Sequence, residues 1–170
     1  MSGNLLAQDN RGYAPDGTPI QNAAYPGQAY DPNDPNYHHY VHDDIICPPG
    51  KCTPQAAFDG LLRYAAPGQK GVSYTGKEVE VTIGGESAGK ITQVVDKASL
   101  SVTNFTEKGH IFDPGYVTRS VVVEKGFVMV RTVGEGTGPH PLFNEGIAGP
   151  AWTYQDLQIK QYVLTHGPGS

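Results

Sequence analysis

The stretch Val117-Thr-Arg-Ser-Val-Val-Val-Glu-Lys-Gly-Phe-Val-Met-Val-Arg-Thr-Val133 decides the fold. Two valine-rich runs, 117–123 and 127–133, flank Glu124-Lys125-Gly126. β-branched residues favour the extended chain, and glycine supplies the positive φ of a tight hairpin turn. The stretch therefore predicts two antiparallel strands. With the turn at Lys125-Gly126, facing residues have numbers that sum to about 251, which sets Arg119 opposite Thr132. Alternation puts Val117, Arg119, Val121 and Val123 on one face. A guanidinium on an apolar face needs a partner, either a carboxylate or a bound phosphate.

Working outward, Lys77-Glu-Val-Glu-Val-Thr-Ile83 alternates strictly, with Val79, Val81 and Ile83 on one side and Gly84-Gly85 as a turn. Residues 90–95 and 98–102 predict further strands, and 157–163 a last one. Ahead of the strands, Thr53 can cap a short helix with Pro54 in its first turn. Ala56, Ala57, Leu61, Leu62 and Tyr64 give that helix an apolar stripe, and Pro67-Gly68 stops it. The predicted fold class is α+β: an N-terminal helix packed on an antiparallel β-sheet, mainly β, behind a disordered or loop-rich leader.

Residues 1–43 carry the leader signal, with Ala-Pro-Asp-Gly, Tyr-Pro-Gly and Asp-Pro-Asn-Asp-Pro-Asn and no periodicity. Such a segment buries too little apolar surface to offset its ordering entropy. Its tyrosines (Tyr13, Tyr25, Tyr30, Tyr37, Tyr40) can still dock it onto the domain. Residues 44–165 are expected to form the compact domain, and 166–170 a tail with the look of an expression remnant. Hydrophobic residues make up 38% of the chain, below the about 45–50% of ordinary domains, so loops must be plentiful. The net charge of −5 belongs to residues 1–44, with six acids and one base; the remainder has eleven of each. A neutral domain lacks the basic footprint of a non-specific nucleic-acid binder. No run is long and apolar enough for a transmembrane helix, and no secretory signal peptide opens the chain. Cys47 and Cys52 flank Pro48-Pro49-Gly50; two reduced thiols in a turn is the preferred reading over a local disulfide, or a metal cluster with His38, His39 and His42.

The densest polar cluster runs from Thr103 to Asp156, at what the pattern reads as strand ends and turns. His110 precedes the Pro114-Gly115 turn and is the natural candidate for proton transfer near neutrality. Gly134-Glu-Gly-Thr-Gly138 lacks the Lys-Ser/Thr of a phosphate loop and reads as a flexible rim.

Three segments together resemble a known group. They are Asn104-x-Thr106-x3-His110-x-Phe112-x-Pro114-Gly115-x-Val117-x-Arg119, then Thr132-x-Gly134-x-Gly136-x-Gly138, then Asn144-Glu145-Gly146. Over residues 53–163 the chain resembles the C-terminal toxin domains of bacterial polymorphic toxins (Rhs and contact-dependent inhibition types), within the barnase/EndoU/colicin/RelE-like ribonucleases. The resemblance implies metal-independent RNA cleavage, by attack of the ribose 2′-hydroxyl on phosphate, without a cofactor. It implies His110 as general acid or base, Arg119 as charge stabiliser and Thr132 as phosphate donor. Asn104, Thr106, Glu135, His140, Asn144 and Tyr154 would contact substrate. It further implies tRNA or rRNA as substrate, a cognate immunity protein, and release or delivery into a target-cell cytoplasm. The alternatives are an NAD-glycohydrolase or ADP-ribosyltransferase toxin using Arg119, Thr132 and Glu135, and a non-enzymatic β-rich interaction domain.

Overall fold

The computed structural model describes residues 30–167 and 169, without the side chains of 142–145. The element order is β1 (His38–Cys47), α1 (Pro54–Leu61), β2 (Glu78–Ile83), β3 (Glu86–Asp96), β4 (Ser101–Thr106), β5 (Gly115–Glu124), β6 (Phe127–Gly136) and α2 (Pro141–His166). The strands form one antiparallel sheet of six, in the order β1-β6-β5-β4-β3-β2.

The predicted hairpin is present in the predicted register. Glu124 pairs with Phe127 around Lys125 (φ 53°) and Gly126 (φ 84°), and Arg119 pairs with Thr132. Thr53 caps α1 through Oγ1, which accepts the Ala56 N–H at 3.1 Å.

Two elements differ from expectation. Residues 157–163, read as a strand, lie in α2, so the major helix over the sheet is C-terminal, not N-terminal. Its buried positions, Ala148, Trp152, Gln155, Asp156, Ile159 and Val163, recur every three or four residues, which is the spacing of one helix face. Residues 38–43, read as leader, form the first half of β1. That strand pairs with β6 and turns His38, Tyr40, His42 and Asp44 toward the same face as Thr132 and Gly134. Cys47 and Cys52 form a disulfide that ties the end of β1 to the start of α1.

The helices cover one face of the sheet, and that side has three zones. Toward the 125–126 turn, Ile46, Val130, Val121, Val102 and Val95 pack against Phe58 and Leu61 of α1 and Ile159 and Val163 of α2. Gly60 lets the helices meet: a Cβ there would lie 3.1 Å from Ile159 Cγ2. A belt of buried polar residues crosses the middle. At the far end, Val81, Ile91, Val117 and Gly134 underlie the first half of α2 and surround a chamber. On the other face, Tyr30 and Tyr116 pack over Val94 and Phe105.

Candidate functional site

The polar belt centres on Arg119, which is fully buried. Its Nε donates to Thr132 Oγ1 at 3.1 Å and one terminal nitrogen to the Tyr64 carbonyl at 2.6 Å. The other donates to Asp156 Oδ1. The guanidinium lies 4.7 Å from the Trp152 ring centroid, within cation–π range. The partner that a guanidinium on an apolar face requires is thus a carboxylate of α2. Burial pushes the Asp156 carboxyl up to about 8, opposed by Arg119. For Asp44 burial works in the same upward direction, but hydrogen bonds with Asp156 and His42 outweigh it and hold its pKa low. Asp156 Oδ2 meets no donor, and the hydrogen bond between Asp156 and Asp44 adds to burial in favouring the protonated form of Asp156.

His42 Nε2 is 2.7 Å from Asp44 Oδ2 and 3.2 Å from Thr153 Oγ1. His42, Asp44 and Asp156 present ligand atoms within 4.8 Å of one another, and among the described residues they are the group that could hold a metal ion. This is a different set from the histidine–cysteine cluster considered above, whose cysteines are disulfide-bonded. The belt continues through Gln93, whose amide nitrogen donates to Gln69 Oε1 and to Asn104 Oδ1. Asn104 in turn donates to the Ala65 carbonyl, and Gln155 to those of Tyr64 and Ala66.

Beyond the belt lies the chamber, with a volume of about 80 Å³. Its walls include Val81, Ile83, Ile91, Phe112, Ile147 and Trp152, and among the described residues no Lys, Arg, Asp or Glu lines it. A second, open groove of about 700 Å³ runs between residues 64–70, the 82–85 turn and α2. The two share Ala66, Pro67, Ile83, Ile147 and Ala151 as wall residues.

The glycines of 134–138 are not a flexible rim. Gly134 and Gly136 are strand residues of β6. The Tyr40 ring occupies the space above Gly134, where a Cβ would lie 2.3 Å from the ring. Tyr40 then accepts the Trp152 indole N–H at 3.1 Å. Gly138 likewise admits the Phe112 carbonyl, 2.2 Å from where a Cβ would be.

The structure separates the three residues grouped as catalytic. Arg119 and Thr132 are joined, but both are 0% exposed and satisfied within the belt. His110 lies apart, in the chamber wall beside Phe112. Burial pushes its pKa down to about 4, partly offset by Asp113, so it is neutral at pH 7 and poorly matched to acid–base work there.

The remaining candidates scatter. Asn104 lies inside β4, Thr106 stands at its end as expected, and Thr106 Oγ1 donates to Asp113 at 2.6 Å. Glu135 sits on the opposite face, accepting the hydroxyls of Tyr37 and Tyr116 at 2.8 Å each. His140 is an exposed, left-handed residue before α2. Tyr154 is exposed at the groove. Asn144 falls in α2 with its side chain outside the described residues. Sequence reasoning missed the chamber walls on α2, namely Ile147, Ala148, Ala151 and Trp152. The 3–4 spacing from Ala148 to Val163 was the signal that could have found that helix.

No family model matches the sequence, and no curated protein does. Solved structures match in fold. Truncated norcoclaurine synthase of Thalictrum flavum aligns with a TM-score of 0.55 at 14% identity, over 76% of this chain and 95% of that one. The Aha1 dimer of Colwellia psychrerythraea gives 0.53 at 11%, over 72% and 92%. The Zhui aromatase/cyclase of a Streptomyces gives 0.51 at 11%, over 76% and 93%. These neighbours overturn the resemblance to ribonuclease toxins, and with it the RNA-cleaving role and its toxin setting. RNA and an immunity protein lose their support as partners; no helix among the described residues is long and apolar enough to cross a membrane. The fold is similar to that of Bet v1-like and START/polyketide-cyclase-type domains.

Proposed function

We propose that this chain binds a small, mainly apolar molecule in the chamber between α2 and the sheet, with the open groove as its way in. One observation carries the reading: a largely apolar chamber, without Lys, Arg, Asp or Glu among its described wall residues, adjoins a groove nearly an order of magnitude larger, about 80 Å³ against about 700 Å³. Sites of this kind are concave and mostly apolar, with few placed polar groups. Two neighbours of similar fold are named a norcoclaurine synthase and an aromatase/cyclase. Binding is favoured over catalysis because the belt's ionisable groups are consumed by one another and His110 is held neutral.

The test uses N-phenyl-1-naphthylamine, a neutral dye that brightens in apolar surroundings. The wild-type protein is expected to bind it with enhanced, blue-shifted emission. Ala148→Phe places a ring in the chamber from α2 and is expected to weaken binding about tenfold or more, with circular dichroism unchanged. Unchanged dye affinity in a folded A148F protein overturns the reading.

A further inference from the structure

His110 lies in the loop between β4 and β5 and is held from several sides. Its N–H donates to the Glu107 carbonyl at 3.0 Å, and its carbonyl accepts the Asp113 N–H at 3.1 Å. Gly89 of β3 lies against it so closely that a Cβ at 89 would be 2.4 Å from His110 Cα. The ring is fixed as well, because Nδ1 accepts the Phe112 N–H at 3.1 Å. An accepting ring nitrogen carries no proton, so the neutral imidazole keeps its hydrogen on Nε2. Nε2 has no hydrogen-bond partner among the described residues and is not one of their sealed unpaired atoms, so it stays reachable although His110 as a whole is buried.

The other polar side chains of the chamber wall are engaged. Asn104 uses its oxygen on Gln93 and its nitrogen on Ala65, and Thr106 bonds Asp113 and Gly115. Tyr40 accepts from Trp152, and His38 Nδ1 meets the Asn36 carbonyl, while the Tyr116 hydroxyl is on the other face of the sheet with Glu135. Among the described residues, the wall therefore offers the Nε2–H of His110 as an oriented donor in largely apolar surroundings. A reachable donor in a largely apolar wall that the protein itself does not satisfy is a place for a ligand acceptor. An ionised ligand group would find no Lys, Arg, Asp or Glu among the described residues of this wall, and burying it there would be costly.

We infer that the molecule held in the chamber is uncharged and carries a carbonyl-type oxygen that accepts the Nε2 hydrogen of His110. This rests on the chamber reading above and adds a ligand class and a specificity-determining residue to it. The remainder of the ligand is hydrocarbon against Ile91, Val81, Ile147 and Trp152.

Acetophenone and α-methylstyrene test this, since they differ by C=O against C=CH2 at nearly equal shape. Both are titrated into wild type, His110→Phe and His110→Gln by NMR. The ketone-to-hydrocarbon affinity ratio is expected to fall about 3–10-fold from wild type to H110F, as for one lost hydrogen bond, and to fall less in H110Q. In the wild-type protein, the Nε2 proton resonance is expected to move with the ketone and not with the hydrocarbon. An unchanged ratio, with an Nε2 resonance blind to the ketone, overturns the inference while leaving the chamber reading intact; water then satisfies His110. Binding of neither molecule overturns the chamber reading and this inference with it.

Discussion

Replacing Arg119 by Met removes the centre of the belt while keeping an apolar stem of similar length. The loss comprises the bonds to Thr132, to the Tyr64 carbonyl and to Asp156, and the contact with Trp152. The Tyr64 carbonyl keeps a donor, the Gln155 amide at 3.1 Å. The Asp44–Asp156 pair loses Arg119 as its buried counter-charge and keeps only the partly exposed His42 on the sheet side. Breaking one side of a buried ion pair costs about 3–5 kcal/mol. With a urea dependence of about 2 kcal/mol/M, the midpoint should drop by about 2 M. Unfolding can be followed by the fluorescence of Trp152, the single tryptophan, which the guanidinium covers. The paired variant Arg119→Met/Asp156→Leu should recover most of the loss, since an apolar replacement of a buried pair is often neutral or stabilising. An R119M protein within about 1 kcal/mol of wild type, or a double variant as weak as the sum of its parts, refutes the belt as a coupled network.

Asp156→Asn is isosteric with a protonated Asp156 and should cost under about 1 kcal/mol at pH 7, whereas Asp156→Leu strands Arg119 and should cost about 3 or more; equal losses in urea melts would contradict a proton on Asp156. Because His110 is held at about 4 in the folded state, the unfolded chain takes up the proton first, and stability should fall by about 3 kcal/mol as pH drops from about 6.5 to 4. His110→Phe should flatten that part of the curve of stability against pH. Gly89→Ala combines φ +109° with a clash at His110 Cα, and should lower stability by about 2 kcal/mol or more and loosen the His110 loop in hydrogen exchange. Reducing Cys47–Cys52, which are five residues apart, reopens a short loop and should cost about 2 kcal/mol, read as a lower melting temperature in dithiothreitol.

The parts of the fold legible in the sequence are those where alternation marks a strand directly. The 117–133 hairpin shows its turn and its register, and 77–83 shows one apolar face. Elsewhere the signal was inverted or diluted. Strand β1 turns His38, Tyr40, His42 and Asp44 inward, so its buried side reads as polar and the strand passes for leader. Helix α2 begins on weak helix formers, with Gly146, Gly149 and an internal Pro150, and Leu157 and Ile159 mimic strand alternation. With α2 unseen there is no roof and no chamber, and the polar residues between Thr103 and Asp156 read as a catalytic cluster at strand ends and turns. Arg119 shows the limit well. Its need for a buried partner follows from the pattern, but the choice between carboxylate and phosphate depended on Asp156, in the element read as a strand.

The most direct test of the chamber is a set of isotope-filtered NOEs between acetophenone and the methyl-labelled protein. Contacts are predicted to Val81, Ile83, Ile91, Val117 and Ile147, the chamber-lining methyls, and not to Val94 on the opposite face. NOEs confined to the outer face, or none at millimolar ketone, would contradict a ligand site between α2 and the sheet.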